Sequence, residues 1–181
     1  MDWKIDPAHS SVDFSVRYMV AEVHGRFTGM RGALTLSESQ NGDMPDLLDF
    51  DAAFDATSLS TGAPQRDHHV SSKDLLDAAT YPEGKVRLVS LTKDVAPEYL
   101  ITVELSLHGV TRTVDVVATT AGPVVDSFGI PRFGATARGR IKRSDFGVKA
   151  YLGAISDDVE FTVNVQAVPA SVPDEQLPPA N

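Results

Sequence analysis

Four segments of the chain alternate apolar and polar residues with a period of two, the pattern of a β-strand that buries one face. In residues 10–18, SSVDFSVRY, the side chains of Val12, Phe14 and Val16 fall on the face opposite Asp13. The other three segments are DLLDFDAAFDA at 46–56, YLITVELSL at 99–107 and DVEFTVNVQAV at 158–168. Weaker versions of the pattern lie at 25–37, 85–93, 112–120 and 133–142. The sequence therefore predicts an all-β protein with about eight strands.

Turn signals separate the predicted strands, and most connections are short enough for antiparallel neighbours. These signals lie at 41–43, 96–98, 108–111 and Gly122-Pro123. A strand of eleven or twelve residues would run about 35 to 40 Å, which favours an elongated β barrel or a β sandwich. In the second strong segment the alternation places Leu48 and Phe50 inside and Asp49 and Asp51 in solvent. Three glycines of a weaker strand permit the bends that barrel closure requires, namely Gly25, Gly29 and Gly32.

Three segments depart from the strand pattern. Residues 64–82 lack strict alternation, so we expect one or two short helices there, with Ser72 as a helix N-cap. Residues 143–147 are expected to form a tight connection. The proline-rich residues 169–181 are typical of a disordered tail. The chain is therefore expected to form one domain over residues 1–168.

Composition argues against several classes of function. The net charge of -9 gives no positive surface for nucleic acid, so no nucleic-acid partner is expected. The chain has no cysteine, which rules out disulfides and cysteine-ligated cofactors, and we expect no cofactor. No apolar run reaches the roughly eighteen residues of a membrane-spanning helix. Residues 1–10 lack the apolar core of a signal peptide, so a cytoplasmic location is expected.

The strongest candidate for metal or acid–base chemistry is the sequence RDHHV at 66–70. Asp67, His68 and His69 offer ligand atoms, but adjacent histidines point in different directions on a helix or a strand. Further ligands would have to come from elsewhere in the chain, from His9, His24 or His108. Because no spacing signature supports such a site, we favour a structural hydrogen-bonding role and predict no metal.

The predicted interior leaves two outcomes open. Inward apolar residues that pack against one another and inward residues that line a channel follow the same period. An eight-stranded barrel is just wide enough to be filled by side chains or to hold one small ligand. The sequence therefore allows a hollow barrel that binds a ligand or a filled barrel whose outer surface binds a protein.

Several motifs resemble the YceI-like family in order and in approximate spacing. They are WKIDPAHSSVDFSVRYM at 3–19, VHGRF at 23–27, the stretch from Ser60 to Pro82 with RDHHVSSKDLLDAATYP, LSLHGVTRTV at 105–114, RSDFG at 143–147 and ISDDVEF at 155–161. The similarity spans residues 3–168. Several motifs in the right order make this resemblance specific.

The resemblance implies an extended, lipocalin-like, eight-stranded antiparallel β barrel with one or two short helices. It also implies a hydrophobic channel for a long-chain isoprenoid lipid, such as an isoprenoid quinone or a polyprenyl phosphate, without catalysis and with a possible homodimer. The residues expected to bind the lipid are Phe14, Val16, Tyr18, Phe27, Phe50, Phe54, Val103, Leu105, Phe161 and Val163. Those expected to form a structural clasp near the helix are Arg66, Asp67, His69, Asp77, Arg143 and Asp145.

Two positions depart from the family pattern. The family commonly has a histidine after the first long strand, where this chain has Tyr18, and it commonly has FFD where this chain has Leu75-Leu76-Asp77. The preference for a lipid head group is therefore expected to differ more than the binding of the tail. The alternative function is a small barrel metalloprotein or enzyme that uses Asp67, His68 and His69.

Overall fold

The structure, a computed structural model, describes residues 1–38, 44–93 and 98–177. Within these ranges there is one α-helix, α1 (Pro64–Ser71), and there are short 3-10 helices at Pro7–His9, Ala56–Ser58, Arg143–Phe146 and Asp174–Gln176. The strands are β1 (Asp2–Ile5), β2 (Ser11–Tyr18), β3 (Ala21–Phe27), β4 (Arg31–Leu36), β5 (Leu47–Asp55), β6 (Glu83–Lys93), β7 (Glu98–Leu107), β8 (Val110–Val125), β9 (Pro131–Lys142) and β10 (Ile155–Pro169). No described helix is long and apolar enough to cross a bilayer.

Eight of the strands close into an antiparallel barrel, as the sequence predicts. Their order is β1-β4-β5-β6-β7-β8-β9-β10, and β10 pairs back to β1. The long strand β10 has two pairing partners along one edge. Its residues 155–164 pair with β2, and its residues 167–169 pair with β1. The hairpin β2–β3 is therefore a two-stranded extension of the wall beside the first part of β10.

The expected single strand over 25–37 is divided in two. β3 ends at Phe27, β4 begins at Arg31, and Gly29 lies between them with φ +66°. This break lets β3 pair with β2 while β4 pairs with β1 and β5. The short strand β1 was not predicted, because four residues are too few to show a period of two.

Three local predictions are wrong. The Gly122-Pro123 turn is a register shift within β8, where pairing with β9 resumes at Val124. Ser72 ends α1 instead of starting a helix, and its backbone N–H donates to the His69 carbonyl. Leu48 is exposed, because a register shift between β4 and β5 turns Leu47 inward in its place. The predicted turn at 41–43 lies outside the described residues, as does most of the one at 96–98.

One end of the barrel is closed by a packed floor. Trp3 and Phe133 are almost completely buried there, with ring centroids 6.1 Å apart, and Leu36 and Ala167 belong to the same buried cluster. The buried Asp6 accepts a hydrogen bond from Arg132 Nη1 at 2.6 Å. This ion pair ties the chain before β2 to β9, so the floor is anchored to the barrel wall.

The proposed end of the domain at Val168 remains a prediction. Strand β10 continues to Pro169, and the 3-10 helix Asp174–Gln176 follows it. Lys4 forms an ion pair with Asp174, so this segment contacts β1. Residues 178–181 lie outside the described part of the chain.

Candidate functional site

The barrel encloses a cavity of about 680 Å³. This volume lies within the usual range of small-molecule and cofactor sites, about 300 to 1,000 Å³. Its walls are almost entirely apolar and come from every barrel strand, from the β2–β3 hairpin and from α1. The interior is therefore hollow, which the alternation of residues alone could not decide.

All ten residues expected to bind a ligand line this cavity. They are Phe14, Val16, Tyr18, Phe27, Phe50, Phe54, Val103, Leu105, Phe161 and Val163. The phenyl rings of Phe14, Phe27 and Phe54 form a row, with centroids 5.4 and 5.1 Å apart along it. Contact of these residues with a ligand stays a prediction.

Three of the cavity phenylalanines lie directly opposite a glycine on the neighbouring strand. The pairs are Phe14 with Gly25, Phe54 with Gly84, and Phe161 with Gly139. Directly opposed residues of antiparallel strands place their side chains on the same face. A Cβ on Gly25 would lie 2.3 Å from Phe14 Cζ, and one on Gly139 would lie 2.6 Å from Phe161 Cζ. Each ring therefore lies across its glycine along the wall, which keeps the centre of the barrel open.

We expect Gly139→Ala to narrow the cavity without unfolding the barrel. The new methyl group forces the Phe161 ring away from the wall, and the empty lumen gives the ring room to move. Uptake of a bulky prenyl lipid should fall, while a thin alkyl probe should still bind, as titration of both ligands would show.

The matched control is Gly134→Ala on the same strand, where the nearest heavy atom lies 3.8 Å from the added Cβ. If both variants bind the prenyl lipid like the wild type, the glycine pairs do not set the width of the lumen.

The mouth of the cavity lies at the end opposite the floor. Among the described residues that line the cavity, a few are exposed, and they come from the end of β2, from α1 and from the turn before β10. They are Tyr18, Gln65, Arg66, His69 and Tyr151. The other polar residues that line the cavity are Thr61 and Arg143, so polarity is concentrated around the mouth.

Helix α1 is held at the mouth by its first turn. Asp67 Oδ1 accepts hydrogen bonds from the Thr61 backbone N–H at 2.8 Å and from the Thr61 hydroxyl. Arg66 Nη2 donates to the Thr61 carbonyl at 2.8 Å. The His69 ring packs edge-on against Tyr151, with centroids 5.4 Å apart. These contacts join the helix to the preceding loop and to the turn across the mouth.

The other expected clasp residues lie in two separate places. Asp77 is in the turns that follow α1, and its carbonyl accepts hydrogen bonds from the backbone N–H groups of Thr80 and Tyr81. Asp145 is exposed in the 3-10 helix after β9. The six residues thus come from α1, from the turns after it and from the 3-10 helix that begins at Arg143, and their role as a clasp stays a prediction.

Arg143 organises the turn on the other side of the mouth. Its guanidinium group is buried and donates to four backbone carbonyls, those of Val148, Ala150, Ile155 and Ser156, at 2.8 to 2.9 Å. Burial lowers the pKa of Arg143 from its ordinary value. A single side chain thus holds the segment 148–156, which carries Tyr151.

Asp157 contacts the first turn of the 3-10 helix that begins at Arg143. Its carboxylate accepts hydrogen bonds from the Ser144 hydroxyl at 2.7 Å and from the Ser144 backbone N–H at 2.9 Å. The hydroxyl contact, more than the backbone contact, holds the pKa of Asp157 below its ordinary value. Because the folded pKa is depressed, this stabilisation is present above the unfolded pKa and is lost as pH falls through the folded one.

We therefore expect the melting temperature to fall as pH drops below about 4, the unfolded pKa of an aspartate. The fall should be smaller in Asp157→Asn, which has no carboxylate to protonate at this position. Thermal melts of both proteins from pH 7 to pH 3 measure the difference. Equal acid sensitivity would show that Asp157 does not contribute.

The candidate metal ligands do not come together. Asp67 and His68 lie on α1, His9 contacts Asp6 near the floor, and His108 Nδ1 lies 3.0 Å from the Phe146 carbonyl oxygen. No group of three His, Asp or Glu side chains that could hold a metal occurs within residues 1–38, 44–93 and 98–177. No carboxylate lines the cavity in these ranges.

Comparison with known proteins gives a consistent family assignment. A family model described as the YceI-like domain matches residues 3–167. The protein YceI of Escherichia coli O157:H7 is 33% identical over 170 residues, which cover 92% of this chain and 86% of that protein. The UPF0312 protein plu2095 of Photorhabdus laumondii is 31% identical over the same shares of the two chains.

Solved structures share the fold at low sequence identity. BcnA of Burkholderia cenocepacia superposes with a TM-score of 0.75 at 21% identity, over 90% of this chain and 98% of that one. A polyisoprenoid binding domain from Saccharophagus degradans, implicated in plant cell wall breakdown, gives a TM-score of 0.71 at 18% identity, over 92% and 98%. These likenesses support the barrel architecture.

Proposed function

Because the chain belongs to the YceI-like family, we propose that it binds a long-chain isoprenoid lipid in its barrel cavity. The observation that carries the proposal is the hollow apolar interior with its single group of exposed lining residues. The polyisoprenoid binding domain from Saccharophagus degradans has a similar fold, which supports the choice of ligand class. An isoprenoid quinone or a polyprenyl phosphate has the expected chemistry, a long apolar tail with one polar end.

The composition of the wall favours binding over catalysis. Burial of one five-carbon isoprene unit contributes about 4 kcal/mol, at about 0.8 kcal/mol per methylene-sized group. A few buried units therefore outweigh the cost of ordering the lipid. The wall is almost entirely apolar and its few polar side chains lie around the mouth, so a carrier or storage protein suits this interior better than an enzyme.

The length of the cavity favours a long tail. Lining residues of β10 extend from Ile155 to Val165. Ten residue steps of about 3.3 Å, tilted by about 40°, project to about 25 Å along the barrel axis. One leaflet of a bilayer holds tails of about 15 Å, half of its hydrocarbon thickness. The barrel can therefore take a tail longer than an ordinary leaflet-spanning acyl chain.

The polar groups at the mouth would face the head group of the lipid. Arg66 and His69 lie on α1, and Tyr18 and Tyr151 stand across from them. With the floor closed by Trp3 and Phe133, a lipid would enter tail first and leave its head at this ring of polar side chains. Cytoplasmic location and assembly as a homodimer stay predictions from the sequence.

Displacement of a fluorescent apolar probe by prenyl alcohols of increasing length tests the proposal. Affinity should rise with each added isoprene unit until the extended tail reaches about 25 Å, the projected length of the lumen, and should then level off. Probe binding that no prenyl alcohol displaces would contradict the proposal.

A further inference from the structure

Two turns at the mouth present large apolar side chains to solvent. In the hairpin turn between β2 and β3, 62% of the Met19 surface and 98% of the Val20 surface are accessible to solvent. The turn before β10 exposes Tyr151 by 49% and Leu152 by 46%. The Met19 backbone N–H donates to the Ala154 carbonyl at 2.7 Å, so the two turns are in contact. With Tyr18 they form one surface, here called the rim patch (Tyr18, Met19, Val20, Tyr151 and Leu152).

The backbone at both turns is strained. Met19 has φ +53° and Tyr151 has φ +58°, in the left-handed region that favours glycine. Tyr18 and Ala21 are the last paired residues of the hairpin, and Met19 is the first of the two loop residues between them, a position where glycine or asparagine is the usual choice. Exposed apolar residues at strained turns lower both stability and solubility, so their presence on both turns points to a function.

We infer that the rim patch inserts into the surface of a lipid bilayer, so that a lipid can pass between the membrane and the cavity. This inference rests on the proposed function, because Tyr18 and Tyr151 belong to both the rim patch and the cavity wall. An apolar tail that crossed open water would lose the stabilisation that the cavity offers. If the mouth contacts the bilayer, the tail passes from the membrane into the cavity without crossing water.

The size and charge of the rim patch favour a membrane over a protein partner. Two turns and the end of β2 provide five side chains, whereas a stable protein interface takes about 20 to 30 residues from each side. The nearby charges are of both signs: Arg17 lies opposite Glu22 in the register of the hairpin, Lys149 is two residues before Tyr151, and the Tyr151 hydroxyl donates to Asp74. With a net charge of -9 on the whole chain, binding should depend on apolar insertion and should favour neutral lipids over anionic ones.

Flotation with phosphatidylcholine vesicles tests the inference. The wild type should float with the vesicles, and the double variant Val20→Asp/Leu152→Asp should show a bound fraction lower by at least about tenfold. Neither residue lines the cavity, so uptake of geranylgeraniol from ethanol should be unchanged. Added phosphatidylglycerol should weaken flotation of the wild type.

The matched control is Val124→Asp/Phe128→Asp, which changes two exposed apolar residues at the floor end of the barrel. Val124 lies among the last residues of β8, and Phe128 lies three residues after the strand ends. This variant should float like the wild type. The inference is overturned if the wild type does not float, if the rim variant still floats, or if the control loses binding equally. It is also overturned if light scattering shows that the rim variant breaks a dimer while vesicle binding is unaffected. A wild type that floats but takes up no geranylgeraniol would contradict the proposed function and leave membrane docking intact.

Discussion

The variant Ala137→Trp is expected to abolish lipid binding while the barrel stays folded. Ala137 lines the cavity on β9, directly opposite Ala118 on β8, so an indole ring at this position projects into the lumen. In a hollow barrel the ring occupies empty space. In a filled barrel the same change would overpack the interior and cost about 1 to 3 kcal/mol or more.

Two measurements on Ala137→Trp give the result. Thermal melting should stay within a few degrees of the wild type, and prenyl alcohol should no longer displace the fluorescent probe. The control Arg138→Trp changes the next residue, which is exposed on the outer face, and should bind normally. Strong destabilisation of Ala137→Trp would contradict a hollow interior.

The variant Arg143→Leu is expected to produce the largest loss of stability. Four carbonyls that now accept hydrogen bonds from one buried guanidinium would lose their partner. We expect the free energy of unfolding to fall by about 3 to 5 kcal/mol. For a chain of this length, that corresponds to a decrease in melting temperature of about 10 °C.

Arg143→Lys should recover only part of the stability, because an ammonium group has three donors and cannot reach all four carbonyls in the planar geometry of arginine. The control Arg138→Leu removes an exposed arginine and should change the free energy of unfolding by less than about 0.5 kcal/mol. A melting temperature of Arg143→Leu equal to that of the wild type would show that the four hydrogen bonds contribute nothing net.

The architecture could be predicted from the sequence because the long strands repeat the same alternation. In β7, for example, Ile101, Val103 and Leu105 are buried, while Thr102 and Glu104 face outward, as a period of two requires. The short strand β1 was missed, and the division of 25–37 at Gly29 was missed as well. Strand β1 is too short to show a period of two, and the division at Gly29 depends on which strands pair, which local periodicity does not reveal.

The hollow interior could not be predicted from the same residues. Phe14 and Phe161 have the alternation of packed core residues, yet each lies along the wall because a glycine faces it across the strand pair. Gly25 was interpreted as a position that allows a bend. Its close approach to Phe14 depends on the register between β2 and β3, which only the structure gives.

The mouth was predicted only in part. RDHHV was correctly placed in a helical segment, and its Arg66 and Asp67 do make hydrogen bonds there. Thr61, which forms hydrogen bonds with both of these side chains, was not predicted as a site residue, because a lone threonine in a loop carries no sequence signal. Met19, Val20 and Leu152 were also missed, since their significance depends on their position beside the opening.

Native mass spectrometry of the purified protein tests the central claim, that the barrel is an empty tube for a lipid tail. The account predicts that protein stripped with organic solvent and refolded takes up one prenyl lipid per chain, and that Ala137→Trp takes up none. A stripped wild type that remains folded and shows no added mass with any prenyl lipid would contradict the account.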